Sequence, residues 1–218
     1  MKQHEEYTNL FVADHPLILH KLTKMRDSNC EKVAFKTLLK EISLLMGYEL
    51  TRSMPLKNVE VQTPLVSTQA PVLSDKEPAI IPILRAGLGM AEGLEELMPA
   101  AQIGHIGMYR DEDTKQPVEY MVKLPDMNNR FNILVDPMLA TGHSAKHALD
   151  VLVRYGAEPS RIRFMALVAA PEGVKVLMES YPDVNVYVAA LDSHLNENAF
   201  IVPGLGDAGD RIFGTIAA

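Results

Sequence analysis

Between His15 and Leu50 the apolar positions recur every three to four residues. Leu38, Leu39, Ile42, Leu45 and Met46 fall on one side of a 3.6-residue period. The pattern predicts a helical N-terminal section of two helices, broken near Ser28 and Asn29. The period then changes, because "VEVQTPLV" (59–66) alternates and is rich in β-branched residues, as a strand or strand pair would be. From Ala79 onward, short runs that are apolar throughout alternate with amphipathic segments. "AIIPIL" (79–84), "AQIGHIGMY" (101–109), "NILVD" (132–136), "RFMALVAA" (163–170) and "VNVYVAA" (184–190) read as strands. "GLGMAEGLEELM" (87–98), "SAKHALDVLVRYGA" (144–157) and "PEGVKVLMESYP" (171–182) read as helices, the last with Pro171 at its first turn. Strands apolar on both sides, alternating with helices, predict a mostly parallel sheet covered on both faces. The expected fold class is α/β and doubly wound, in a single domain over 1–218.

Composition narrows the range of partners. The chain has 218 residues, 47% hydrophobic and 22% charged, as an ordinary globular domain does. A net charge of -7 speaks against a general nucleic-acid binder, which carries a basic face. The single cysteine, Cys30, forms no intramolecular disulfide, and no run reaches the roughly 18 apolar residues of a membrane span. The polar opening "MKQHEEYTNL" lacks the apolar core of a signal peptide. The expectation is a cytoplasmic protein with neither nucleic-acid nor membrane partners. His4, His15, His20, His105, His147 and His194 show no metal-ligand spacing, and the 12 methionines sit mostly in apolar stretches as core filler.

In a doubly wound sheet, ligands bind beyond the carboxyl ends of the strands. The turns to inspect therefore follow Leu84, Tyr109, Asp136 and Ala190. The clearest chemistry lies in "NILVDPMLATGHS" (132–144), where an apolar run stops at Asp136, crosses Pro137, Met138 and Leu139, and reaches a small hydroxyl-bearing turn. Ala140, Thr141, Gly142, His143 and Ser144 open a predicted helix. Backbone N–H groups at a helix N-terminus, joined by Thr and Ser hydroxyls, can receive a phosphate dianion. Taken alone, the same residues also suit a plain turn at Gly142 with Ser144 as an N-cap.

A hydrophobic strand, an acidic residue and an Ala-Thr-Gly-x-Ser loop resemble the ribose-phosphate loop of the phosphoribosyltransferases. The single acid of "VDPMLATG" resembles one branch, the uracil phosphoribosyltransferase family. "PILRAGLGM" (82–90) resembles that family's pyrophosphate loop, and "YRDEDTKQPVEYMVKLP" (109–125) its flexible arm, with Arg110 at the root. "NAFIVPGLGDAGDRIFGT" (198–215) resembles its uracil-binding segment, and "HPLILHKLTKMRD" (15–27) also fits. The resemblance spans nearly the whole chain, with the motifs in the expected order.

It implies a phosphoribosyltransferase-type fold with a C-terminal base-binding hood. It also implies transfer of the phosphoribosyl group of 5-phosphoribosyl 1-diphosphate (PRPP) to uracil, giving UMP and diphosphate. Asp136 would accept hydrogen bonds from the ribose hydroxyls, and residues 140–144 would hold the 5-phosphate. Arg85 would bind the leaving diphosphate by its two-pronged guanidinium, and Arg110 would close over the same anion. Mg2+ would travel with the substrate oxygens, with Asp207 near it through water. Main chain at Ile201 and the Gly206-Asp207-Ala208 turn would read uracil, with the Phe200 ring beside the base. The implied partners are uracil, PRPP and further copies of this chain, as a dimer or larger assembly, with GTP a candidate activator.

Departures from the commonest family pattern are His143 in place of a second glycine, Phe200 in place of a tyrosine, and Ala199 in place of the preceding glycine. The rival readings are a phosphoribosyltransferase for another base and a non-catalytic nucleotide-binding regulator of the same fold. The first is opposed by "IVPGLGDAGD" (201–210). The second is opposed by Arg85 and the acidic charge.

Overall fold

A computed structural model describes residues 1–110 and 117–215, with the side chains of Arg110 and Pro117 outside that description. Along the chain run β1 (Lys2–Gln3), β2 (Leu10–Val12), α1 (Pro16–Arg26), α2 (Lys32–Leu50), β3 (Leu56–Gln62) and β4 (Ser67–Leu73). Then come β5 (Ala79–Leu84), α3 (Leu88–Leu97), β6 (Gln102–Ile103), β7 (His105–Arg110), β8 (Pro117–Lys123), β9 (Asn132–Val135) and β10 (Met138–Leu139). The last third holds α4 (His143–Arg154), β11 (Ile162–Ala169), α5 (Pro171–Ser180), β12 (Asn185–Leu191), β13 (His194–Leu195), β14 (Ile201–Val202) and α6 (Ala208–Phe213).

The main sheet has the order β1-β2-β12-β11-β9-β5-β7-β8. From β2 through β7 every neighbouring pair is parallel, while β1 and β8 close the two edges antiparallel. Strand periodicity sends alternate residues to opposite faces. Ile81, Ile83, Leu134, Phe164 and Ala166 meet the apolar sides of α4 and α5 through Ala145, Leu149, Leu152, Val174 and Leu177. Ile80, Ile133, Val135, Met165 and Leu167 pack on the other face against Leu22 of α1, Phe35 and Leu39 of α2, and Met90 of α3. Full burial of a side chain such as Phe35 or Phe164 is worth roughly 1.5–3 kcal/mol. This double covering explains why the central strands are apolar at every position.

Several short elements differ from expectation. The run 101–109 is divided at Gly104 into β6 and β7. Strand β2, too short to show a period, pairs parallel with β12 and brings the N-terminus into the sheet. "VEVQTPLV" covers the end of β3 and its turn, and the returning strand β4 reaches Leu73 in a separate two-stranded ribbon. The segment expected only as an arm contains β8, which pairs with β7 through a bulge at Gly107/Met108. Residues 111–116 of that arm lie outside the described residues, as does the Arg110 side chain.

Candidate active site

The parallel strands place their carboxyl ends along one edge of the sheet. Strand β5 delivers Arg85, its neighbour β9 delivers Asp136, and β12 delivers Asp192. Arg85 is exposed, with its guanidinium carbon 5.7 Å from the centre of the Phe213 ring. The turn behind it is very tight. A Cβ on Gly87 would lie 2.5 Å from the carbonyl oxygen of Val135 and 2.7 Å from that of Ile83, so only glycine lets α3 begin there.

After Asp136 the chain stays pinned to β11. The Pro137 carbonyl accepts from the Leu167 and Val168 N–H groups at 3.1 and 3.2 Å, and the Leu139 carbonyl accepts from Ala170 at 2.9 Å. Pro137 and Leu139 are buried, so these positions offer a ligand main chain rather than side chain. Asp136 keeps part of its surface open to the edge and accepts a backbone hydrogen bond from Met138. Burial nevertheless pushes its carboxyl up to about 7, and the Met138 bond opposes this only partly.

Gly142 has φ 80° and is the residue from which α4 springs. The left-handed backbone therefore falls on the glycine, and His143 begins the helix one residue earlier than expected, exposed to solvent. Ser144 lies within the first turn and is not the N-cap. Lys146 is the first residue whose N–H returns to the loop, at 2.8 Å from the Gly142 carbonyl. The amides of His143, Ser144 and Ala145 have no protein acceptor among the described residues, which is the arrangement of an anion-receiving helix start. The loop also rests against α5, since a Cβ on Gly173 would lie 2.3 Å from the Ala140 carbonyl oxygen.

Facing this edge is a hood made of the β13–β14 hairpin and α6. A cleft of about 310 Å³ separates the two, lined by Arg85, Ala86 and Met138 on the sheet side and by Phe200, Gly206, Asp207, Ala208 and Gly209 on the hood side. Asp207 caps α6, its Oδ1 accepting from the Asp210 N–H at 2.9 Å. Ile201 is buried in β14 opposite Leu195. The Leu195 N–H donates to Glu172 Oε1 at 3.0 Å instead of crossing to Ile201.

A family model described as "Uracil phosphoribosyltransferase" matches residues 12–215. The chain belongs to the uracil phosphoribosyltransferase family. It is 63% identical over 215 residues to the uracil phosphoribosyltransferase of Rhodospirillum centenum, covering 99% of this chain and 100% of the relative. With that of Burkholderia thailandensis the identity is 60%, over 99% of each. The AQ2163 protein of Aquifex aeolicus superposes with a TM-score of 0.90 at 32% identity, over 96% of this chain and 100% of that one. A hypoxanthine-guanine phosphoribosyltransferase of Bacillus anthracis, at 15% identity over 72% of this chain and 78% of its own, shares the fold with a TM-score of 0.50.

The cleft unites Arg85, Met138, Phe200, Gly206, Asp207 and Ala208. Thr141, Gly142, His143 and Ser144 form the neighbouring loop and are not part of its wall. Several residues that shape the site escaped sequence reasoning. Arg26, at the end of α1, forms a two-pronged ion pair with Asp192 at 2.6 and 2.8 Å. Arg211 of α6 donates to the Met25, Leu205 and Asp27 carbonyls at 2.6–2.9 Å and lies over the Phe35 ring. Asp192 does carry a signal, because it follows Ala190 in the turn at the carboxyl end of a predicted strand. For Arg26, Arg211, Glu172 and Gly173 nothing local distinguishes them from surface or helix-filling residues.

Proposed function

We propose that the cleft joins uracil to PRPP, releasing diphosphate and forming UMP, a salvage reaction for pyrimidines. The observation that carries this is the meeting of Arg85 and the 206–208 turn across one cleft, beside a helix start with unpartnered amides. Carbon 1 of the ribose loses the diphosphate oxygen and gains uracil N1, with positive charge developing between the two. Such a reaction needs positioned substrates and a stabilised leaving anion, and no covalent nucleophile.

The 5-phosphate docks on the amides of residues 143–145 with the hydroxyls of Thr141 and Ser144. The ribose hydroxyls donate to Asp136. Those donors favour its ionised form, so substrate binding draws a carboxyl poised near neutrality toward the charge that steadies the developing cation. Arg85 holds the diphosphate, and Arg110 is assigned to the same anion. The main chain at Ile201 and the 206–208 turn reads the base edge, with Phe200 covering its face.

Among the described residues no three His, Cys, Asp or Glu side chains converge into a metal cage. Asp207, with one oxygen engaged in capping, fits a magnesium ion that keeps its waters and is held mostly by substrate oxygens. Bound there, magnesium would offset the charge of the departing diphosphate.

The β3–β4 ribbon supports assembly with further copies of the chain. It leaves Leu56, Leu65, Val66 and Leu73 uncovered, Leu65 to 94%. GTP is proposed as an activator.

The deciding experiment offers uracil, cytosine, hypoxanthine and orotate with PRPP and magnesium, with and without GTP, and follows diphosphate release. Release with uracil alone is expected. Release with another base would overturn the base assignment, and PRPP binding without release would turn the reading toward a regulator.

A further inference from the structure

The hood shares no sheet with the rest of the molecule; Ile201, Leu205, Ala208 and Ile212 bury it in the core, and long polar side chains fix the course of its main chain. One residue is held through both of its main-chain polar groups. The Gly204 N–H donates to Asp192 Oδ2 at 3.0 Å, and the Gly204 carbonyl accepts from Arg26 Nη1 at 2.6 Å. Arg26 and Asp192 are themselves joined by two parallel charge-assisted bonds, and the Asp192 side chain is only 5% exposed. A planar guanidinium fork fixes direction as well as distance, which lysine cannot do.

Gly204 sits between the two main-chain segments assigned to the base. Its φ is 59°, and a Cβ there would lie 2.1 Å from the Ile201 carbonyl oxygen. The Ile201 carbonyl therefore abuts Gly204 with no room for a side chain between them, and Gly206 follows two residues on. None of these contacts reaches the 140–145 loop. A second fastening lies beside the first, Arg211 donating to the Leu205 carbonyl and to the Met25 and Asp27 carbonyls that flank Arg26.

We propose that Arg26 and Asp192 are positioning residues for base recognition, holding Gly204 so that the main-chain groups on either side of it match the edge of the base. The inference rests on the assignment of the base to this hood. It separates the two halves of the site: loosening the Arg26–Asp192 bracket should cost affinity for the base while PRPP binding stays intact. A bracket that merely stabilised the fold would weaken both.

The test is steady-state kinetics on the full-length protein, varying uracil and PRPP independently, with equilibrium PRPP binding and thermal unfolding measured alongside. Arg26→Lys, which can reach one acceptor but not both, and Asp192→Asn, which keeps shape and loses charge, are compared with Arg26→Ala. The expected result is a KM for uracil raised about tenfold in the conservative variants and further in Arg26→Ala, since displacements near 1 Å cost up to about 100-fold. The PRPP dissociation constant should stay within about twofold, and Arg26→Lys should recover part of what Arg26→Ala loses.

Parallel loss of both substrates, an unchanged uracil KM, or failure of all three variants to fold would overturn the inference. The wild-type arm tests the uracil assignment separately. If the wild type used another base, that assignment would fall, and the same ratio measured with that base would still decide the role of the bracket.

Discussion

The two sides of the site, the sheet edge with its neighbouring 140–145 loop and the hood across the cleft, are built by different means. On the sheet side, Arg85, Asp136 and the 140–145 loop are carried by adjacent parallel strands, and main-chain bonds from Pro137 and Leu139 to β11 set the loop's path. Close packing finishes the work, with Gly87 and Gly173 standing where a methyl group would collide with carbonyl oxygens. On the hood side the hairpin has two-residue strands and α6 spans only Ala208–Phe213. It is held by the burial of Ile201, Leu205, Ala208 and Ile212 and by polar side chains reaching across the chain, Arg26 and Asp192 to Gly204, Arg211 to the end of α1 and Asp27, and Glu172 to Leu195. A wall made of main chain tolerates no added atom, whereas a wall hung on side chains can shift by degrees.

The largest effect should come from breaking the packed wall. Gly173→Ala puts a Cβ about 2.3 Å from the Ala140 carbonyl oxygen, with the Leu139 oxygen next nearest at 2.9 Å. The loop must move, and PRPP affinity should fall about 100-fold or more. Titration calorimetry with PRPP checks this, and unchanged binding would show that α5 does not set the loop.

Asp136→Asn should lower kcat/KM about 100-fold while stabilising the free protein. Burial raises the folded carboxyl from 3.8 to about 7, so the native state favours the protonated form. The resulting stability is full below the unfolded value and is lost as pH rises through about 7. At pH 8 the neutral amide should therefore unfold at a higher temperature than wild type, the difference worth up to about 4 kcal/mol, and at pH 4 the advantage should disappear. Melting curves at the two pH values test it. An equal shift at both would mean that ionisation is not the cause.

On the hung wall the expected changes are smaller. The Leu195 N–H holds the Glu172 carboxyl below its ordinary range, so this tether is present above that range and fails as the carboxylate is protonated on acidification. Glu172→Gln should raise the uracil KM only about two- to threefold, because an exposed charge is screened by solvent. PRPP binding measured in parallel should not change.

The smallest effect is a gain. Ala199 has φ 62°, a conformation natural to glycine. Ala199→Gly should stabilise the hood by about 0.5–1 kcal/mol, the relief of the left-handed residue exceeding the added entropy of the unfolded chain. A small rise in melting temperature checks it. A fall would mean that the Ala199 methyl packs usefully.

Much of the sheet-side wall was legible because its determinants are local. A central strand must be apolar throughout, its carboxyl end must turn, and the turn before α4 needs a glycine, which stands at Gly142 rather than at His143. The β2 and β10 strands were not legible, since two or three residues carry no period, and nothing in the run 101–109 showed its division at Gly104. Nor did the run 59–66 reveal that its partner strand continues to Leu73.

The alternation of buried strands and helices is written in the order of the residues alone, and with it a parallel sheet whose carboxyl edge carries Arg85 and Asp136. The small turn at 140–144 is written there too, because hydrophobic period and turn chemistry are properties of neighbouring residues. Packing of distant segments brings Arg26 to Asp192 and Gly204, sets Gly173 behind the Ala140 carbonyl, and buries Asp136 so that its carboxyl is pushed up to about 7. Those facts depend on groups far apart in the chain, on how closely they approach, and on how much water their approach leaves behind.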